Sequence, residues 1–178
     1  MTHRLIRALR RFSKAERGSA TLEFCILLPG FILIFLSTFE LGMLMTRHVM
    51  LDRALDLAVR EVRLGALTDA DHQDLVDAIC EHVLVMDTCT TELKLEMRRV
   101  DPWTGLAIAP VADCANRDEP GTPPANFANG GQNQLMVLRA CALFDPMFPT
   151  TGLGASLPRE SGGAYALVAT SSYVIEPF

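Results

Sequence analysis

The hydrophobic positions of this chain change pattern several times. A basic leader is followed, from Phe24 to Met45, by 22 residues in which Glu40 alone belongs to the charged types Asp, Glu, Lys and Arg. As a helix such a run is long enough to cross the roughly 30 Å hydrocarbon core of a bilayer, so it predicts one membrane span. From Arg47 to Leu64 the apolar residues thin to Leu51, Leu55, Ala58 and Val62, with Asp52, Arg53, Asp56, Arg60 and Arg63 elsewhere around the wheel. That is an amphipathic period with no proline to interrupt it, and Gly65 stands where a C-terminal cap belongs. The two stretches predict a single long helix: residues 19–45 in lipid, and residues 46–65 as a stalk under a globular head.

A second helix is predicted over about Asp69 to Met86. Thr68 reads as its N-cap, Asp69 and Asp71 lie at the positive end of its dipole, and Leu75, Val76, Ile79, Cys80, Val83 and Leu84 form one apolar face. The period then drops to two: Thr91, Leu93, Leu95 and Met97 alternate with Glu92, Lys94, Glu96 and Arg98, the pattern of a half-buried strand. Residues 101–133 are rich in turn formers and longer than an ordinary connection, a surface loop that could serve as a contact surface. Gln134–Phe144 and Ala164–Ile175 are apolar and β-prone. Met136, Leu138, Ala140, Ala142 and Phe144 make an uncharged face for the helices. The fold class expected is α+β: a long N-terminal transmembrane and stalk helix, a second helix, and an antiparallel sheet of at least three strands.

Charge sets the orientation. Residues 1–17 hold Arg4, Arg7, Arg10, Arg11, Lys14 and Arg17 against the single acid Glu16, so the positive-inside bias places the N-terminus in the cytoplasm and residues 46–178 on the exported side. A secretory signal has a shorter apolar core and a small-residue cleavage site; Leu44–His48 offers no such site, and cleavage on the outer side is not expected. Beyond Arg17 the chain carries 10 basic and 20 acidic residues. That balance argues against nucleic acid as a partner.

Glu23 needs a reason, because an ionised carboxylate inside a bilayer costs on the order of 2.5–3.5 kcal/mol even on lenient scales. One reading is interfacial, with Glu23 snorkelling toward the basic leader or pairing with Arg17. The other rests on the whole string Gly18-Ser19-Ala20-Thr21-Leu22-Glu23-Phe24 at the junction of a basic leader and an apolar helix. This string resembles the processing site of type IV prepilins of the tight-adherence (Tad, or Flp) branch. Residues 16–24 followed by Pro29 are similar to the TadE-like pseudopilin family. Beyond residue 45 the likeness is architectural, apart from the closing Glu176-Pro177-Phe178. The resemblance implies that a prepilin peptidase removes residues 1–18, cutting between Gly18 and Ser19. Glu23 and Phe24 then serve subunit assembly, with the Glu23 carboxylate pairing with the Ser19 amine of a neighbouring subunit. Glu40, near the outer interface, reads as a side chain reaching water.

Cys25 lies in the span and reads as an apolar packing residue. Cys80, Cys89, Cys114 and Cys141 are an even set on the exported side, where disulfides are permitted. Three pairings are possible. Cys141 shares a strand face with Arg139, turned away from the core, so the overlying loop with Cys114 is its expected partner, leaving Cys80 with Cys89. His72 and His82 read as solvated surface residues, and no zinc spacing, nucleophile elbow, phosphate loop or dinucleotide fingerprint is present in the sequence. No cofactor, metal site or enzymatic activity is expected. The functional expectation is a minor pseudopilin-like structural component of a Tad pilus or related secretion apparatus in the bacterial inner membrane. Its expected partners are the membrane, the prepilin peptidase, other pilins or pseudopilins and assembly-platform proteins. The alternative is an unprocessed single-span protein whose exported head binds a partner or ligand.

Overall fold

The computed structural model of the protein describes residues 19–67, 70–84, 86, 88–103 and 109–177. Its elements follow in the order α1 (Ser19–Arg63), α2 (His72–Cys80), α3 (Cys89–Glu92), β1 (Leu93–Arg99), β2 (Leu135–Phe144), α4 (Gly152–Ser156) and β3 (Tyr165–Val174). The stretches read as span and stalk form one helix of 45 residues. It ends as the sequence suggests: Gly65 takes φ +74°, its N–H bonds to the Val62 carbonyl, and the Ala66 N–H bonds to the Glu61 carbonyl. This is a Schellman closure, which needs a left-handed residue and so favours glycine.

The sheet is antiparallel with β2 in the middle, Leu95 facing Ala140 and Ala140 facing Ala169. Its inner face carries Leu93, Leu95, Met97, Met136, Leu138, Ala140, Ala142, Phe144, Leu167 and Ala169, all in one core with Leu51, Ala54, Leu55 and Ala58 of α1 and Leu75, Val76 and Ile79 of α2. The expected apolar stripe of the stalk is therefore the stripe that is buried, widened by Ala54 and Val59. α1 lies chiefly across β3, and α2 against β1. The head is α+β, as the change of period from 3.6 to two indicates.

The second helix is shorter than expected. Thr68 and Asp69 lie outside the described residues, and the cap is Asp71. Its carboxylate accepts the Asp74 N–H at 2.9 Å while Asp74 accepts the Asp71 N–H at 3.0 Å, a reciprocal capping box. The helix stops at Cys80 rather than Met86, because the chain turns back there to bring Cys89 to Cys80. Val83 and Met86 reach the core from this turn, whereas Leu84, assigned to the apolar face by spacing, is 85% exposed. Thr91 and Glu92 belong to the short helix α3, so β1 begins at Leu93.

Residues 109–127 are not a free surface loop. They lie over the outer face of the sheet, where Val137, Arg139, Cys141 and Leu143 are buried on the side away from the helices. The same segment closes the open edge of β1: Met97 donates to the Asn126 carbonyl at 2.9 Å, and Ala128 donates to the Met97 carbonyl at 3.0 Å. Covering an edge in this way removes a template for unwanted strand pairing.

Candidate functional site

Three places in the molecule carry the chemistry singled out by the sequence. The first is the start of α1. Gly18 and the leader lie outside the described residues; within them the helix runs from Ser19. Glu23 stands one turn later, on the same side of the helix as Ser19, and it is exposed. Phe24, Ile26, Leu27 and Phe31 are each at least 60% exposed, and Cys25 is a free, exposed thiol. None of the most apolar stretch of α1 is buried by the rest of the chain. A core helix of a water-soluble fold would not leave such a surface bare. Pro29 sits inside the helix, where it supplies no N–H to the Cys25 carbonyl one turn earlier.

The second place overturns the expectation for Glu40. This carboxylate does not reach water: it is fully buried beneath the β2–β3 connection. Its Oε1 accepts the Met147 N–H at 3.2 Å and its Oε2 accepts the Phe148 N–H at 3.0 Å. Pro146 and Pro149 flank these two residues, and the irregular backbone between them has donors with no ladder to enter. One carboxylate satisfies both. One turn toward the N-terminus, the Ser37 hydroxyl accepts the Leu153 N–H at 3.3 Å and donates to the Leu33 carbonyl at 2.8 Å. Gly152 passes so close, at φ +53°, that a β-carbon there would collide with the Ser37 hydroxyl. Phe39 meets Phe148 edge to face, with ring centroids 6.1 Å apart. Arg47 completes the junction, donating to the Asp145 carbonyl at 2.9 Å and to the Tyr165 hydroxyl at 2.7 Å, with its guanidinium 5.1 Å from the centre of the Phe144 ring. The head thus grips α1 well inside the run assigned to the span. Residue charge alone could not reveal this; the signal was the stretch Pro146–Pro158, which contains no ionisable residue.

The third place is the outer face of the sheet. Arg139 Nε donates to Glu96 at 2.6 Å, and its other nitrogens donate to the carbonyls of Ala109 at 2.7 Å and Val111 at 3.1 Å. Lys94 pairs with Asp113 at 2.9 Å, and Asp113 also accepts the Ala125 N–H at 2.8 Å. Burial pushes the Asp113 carboxyl up, but the Ala125 N–H and Lys94 together hold it below its ordinary value. Beside this network the structure has the disulfide Cys114–Cys141, with α-carbons 5.1 Å apart. The second disulfide, Cys80–Cys89, joins the end of α2 to α3 at 5.7 Å. These are the pairs expected from the strand face of Cys141 and, by elimination, for Cys80 and Cys89; the first fastens the overlying loop to β2 and the second joins two helices.

His72 is not a solvated surface residue. It is half-buried, stands edge-on to Phe127, and its Nε2 accepts the Leu95 N–H at 3.1 Å. That bond requires the neutral ring. Burial first, then the charge of Lys94, lower its pKa below 6.5, with Asp71 and Asp113 opposing more weakly. A histidine whose folded pKa is depressed contributes its full stability above pH 6.5 and loses it as the pH falls below that value, because the unfolded chain then binds the proton first. The melting temperature of wild-type protein is expected to fall more steeply between pH 7 and pH 5 than that of His72→Gln. Parallel pH profiles would show that this bond does not couple to the fold.

Among the described residues no three His, Cys, Asp or Glu side chains are grouped to hold a metal ion. What the geometry offers is a long apolar helix with one acidic residue near its start, gripped by a disulfide-fastened head. No curated protein and no solved structure was found to match the chain. The family model for TadE-like protein matches residues 18–60, from the leader junction through the apolar helix into the stalk. Residues 18–60 of this chain are therefore similar to TadE-like protein, and they include the one helix, among the described residues, that is long and apolar enough to cross a membrane.

Proposed function

We propose that this protein is a minor pseudopilin of a Tad-type pilus or related secretion apparatus. It is held in the bacterial inner membrane with its N-terminus in the cytoplasm and its head on the exported side, and it acts in assembly rather than in catalysis. The observation that carries the reading is that the family match begins at Gly18, so that the Gly18–Phe24 string heads a match running on through the long apolar helix. Prepilin peptidase cuts after Gly18 in this reading. The α-amine freed at Ser19 then meets the Glu23 carboxylate of a neighbouring subunit. Each charge offsets the burial cost of the other, and the pair fixes the register of packed helices.

Two substitutions test it. Gly18→Val places a β-branched side chain at the cut and is expected to leave the leader attached, which intact-mass analysis of membrane-extracted protein reads directly. Glu23→Gln is expected to insert and be cleaved as wild type, since the amide is less costly in lipid, yet to co-purify poorly with partner pilins. An interfacial Glu23 would instead make this change nearly silent, because exposed pairs are worth only about 0–1 kcal/mol. A wild-type chain still carrying residues 1–18 beside an active peptidase, with normal assembly of Glu23→Gln, would leave a single-span anchor with an exported binding head as the better account.

A further inference from the structure

We propose that the segment from Pro146 to Pro158 is a second membrane-contacting element, seated among the acyl chains of the leaflet on the head's side, against α1. The inference rests on the reading of α1 as a membrane anchor and goes beyond it. Its first support is depth. At 1.5 Å per residue a helix crosses about 30 Å of hydrocarbon in about 20 residues. A span starting at Phe24 would end near residue 44 and leave Ser37 roughly 10 Å inside; one starting at Ala20 would still leave it roughly 5 Å inside. The head nevertheless contacts the helix at Leu33, Ser37 and Glu40. A segment bonded at those positions shares their depth.

The second support is composition. No ionisable residue occurs from Pro146 to Pro158, and Met147 is 46% exposed. An apolar groove beside the segment is lined by Leu33, Ile34, Thr38, Leu41 and Leu153.

The third support is the hydrogen bonding. Irregular backbone is tolerated at membrane depth only where its polar groups find protein partners. Here Glu40 takes the N–H groups of Met147 and Phe148, and Ser37 takes that of Leu153. Arg159 donates to the carbonyls of Pro149 and Gly154 at 2.8 and 2.9 Å. Pro146, Pro149 and Pro158 have no N–H to satisfy. Charge returns immediately outside the segment, with Asp145 on one side and Arg159 on the other. Arg47 meets the Asp145 carbonyl at the same junction, so charged groups gather where the segment begins.

The test uses the full chain reconstituted in phosphatidylethanolamine and phosphatidylglycerol vesicles whose acyl chains carry bromine, a short-range quencher of tryptophan. Trp103, which is 93% exposed, serves in the unaltered protein as the head reference. Trp103→Phe combined with Met147→Trp, Thr150→Trp or Phe31→Trp places one indole at a time. Met147, Thr150 and Phe31 are exposed, so the new ring displaces little packing, and Thr150→Trp decides the matter should Met147→Trp fold poorly. Both loop indoles are expected to be quenched at least about twofold more than Trp103, as a place among the acyl chains requires, with Phe31→Trp, near the bilayer midplane, as the reference for an indole in lipid. Quenching no greater than that of Trp103, with Phe31→Trp strongly quenched, would overturn the proposal and leave the anchor reading intact. Loop indoles shielded from both brominated lipid and aqueous iodide would also overturn it, in favour of a protein cover. An unquenched Phe31→Trp would remove the anchor reading and this one together.

Discussion

Arg139→Met is expected to destabilise the head by about 3–5 kcal/mol, because it leaves the Glu96 carboxylate buried without its counter-charge. Glu96 and Arg139 are 5% and 8% exposed, so water cannot take over the lost partner. What stays with Glu96 is the Asp113 N–H at 3.3 Å, too little to replace a guanidinium. The same change frees the carbonyls of Ala109 and Val111, so residues 109–111 should lift from the sheet while Asp113, on Lys94 and Glu96, and the Cys114–Cys141 disulfide still tether the loop beyond them. Thermal unfolding of the full chain in detergent, with both disulfides intact, measures the loss. A head of this size should melt on the order of 10–20 °C lower. Adding Glu96→Leu should recover much of it, since replacing both members of a buried pair by apolar groups is often neutral. A single-variant loss under about 1 kcal/mol would mean that the pair behaves as an exposed one.

The ion pairs under residues 109–127 also show why some of the fold was legible in the sequence and some was not. Periodicity is a local property, and the elements that rest on it are found close to their expected bounds: the stripe from Leu51 to Val62, the alternation from Leu93 to Met97, and the uncharged face from Met136 to Phe144. The Gly18–Phe24 string was equally local. Parity along β2 went further, since putting Cys141 and Arg139 on one face tied that face to the loop bearing Cys114. The misread residues share a cause. Glu40 and His72 have partners 107 and 23 residues away, the backbone N–H groups of Met147 and Leu95. An isolated polar residue on an apolar element reads as solvent-facing until the segment that covers it is known. The charges of Lys94 and Glu96 made β1 read as half-buried, although both are buried, Lys94 opposite Cys141 and Glu96 opposite Arg139 in the register. Glu96 and Arg139 facing one another was the available hint that this face is closed.

Glu40→Leu is the second change expected to have a large effect, and its effect should be local. The substitution suits lipid and helix alike, so α1 should insert as before. The cost falls on the Met147 and Phe148 N–H groups, each of which loses its acceptor in a place closed to water, at roughly 1–3 kcal/mol apiece. Neither can turn to a regular ladder, because Pro146 and Pro149 bracket them. The core of the head is built from other residues: Leu51, Leu55, Leu75, Ile79 and the inner face of the sheet do not depend on Glu40. The segment 146–157 should therefore come away from α1 as a unit well below the global unfolding free energy, as weakly packed regions do. Hydrogen exchange in detergent is expected to lose at least about tenfold in protection at Leu153 and Ala155, since about 1.4 kcal/mol of local stability is a factor of ten. Protection in β2 should hardly change. Glu40→Gln keeps one acceptor and should fall between the two. Unchanged exchange at Leu153 in Glu40→Leu would show that Ser37 and the Phe39–Phe148 contact hold the segment without the carboxylate. The buried acid in the span would then need a different explanation. The expected loss would instead make Glu40 the pin that sets how far the head rides down its own anchor.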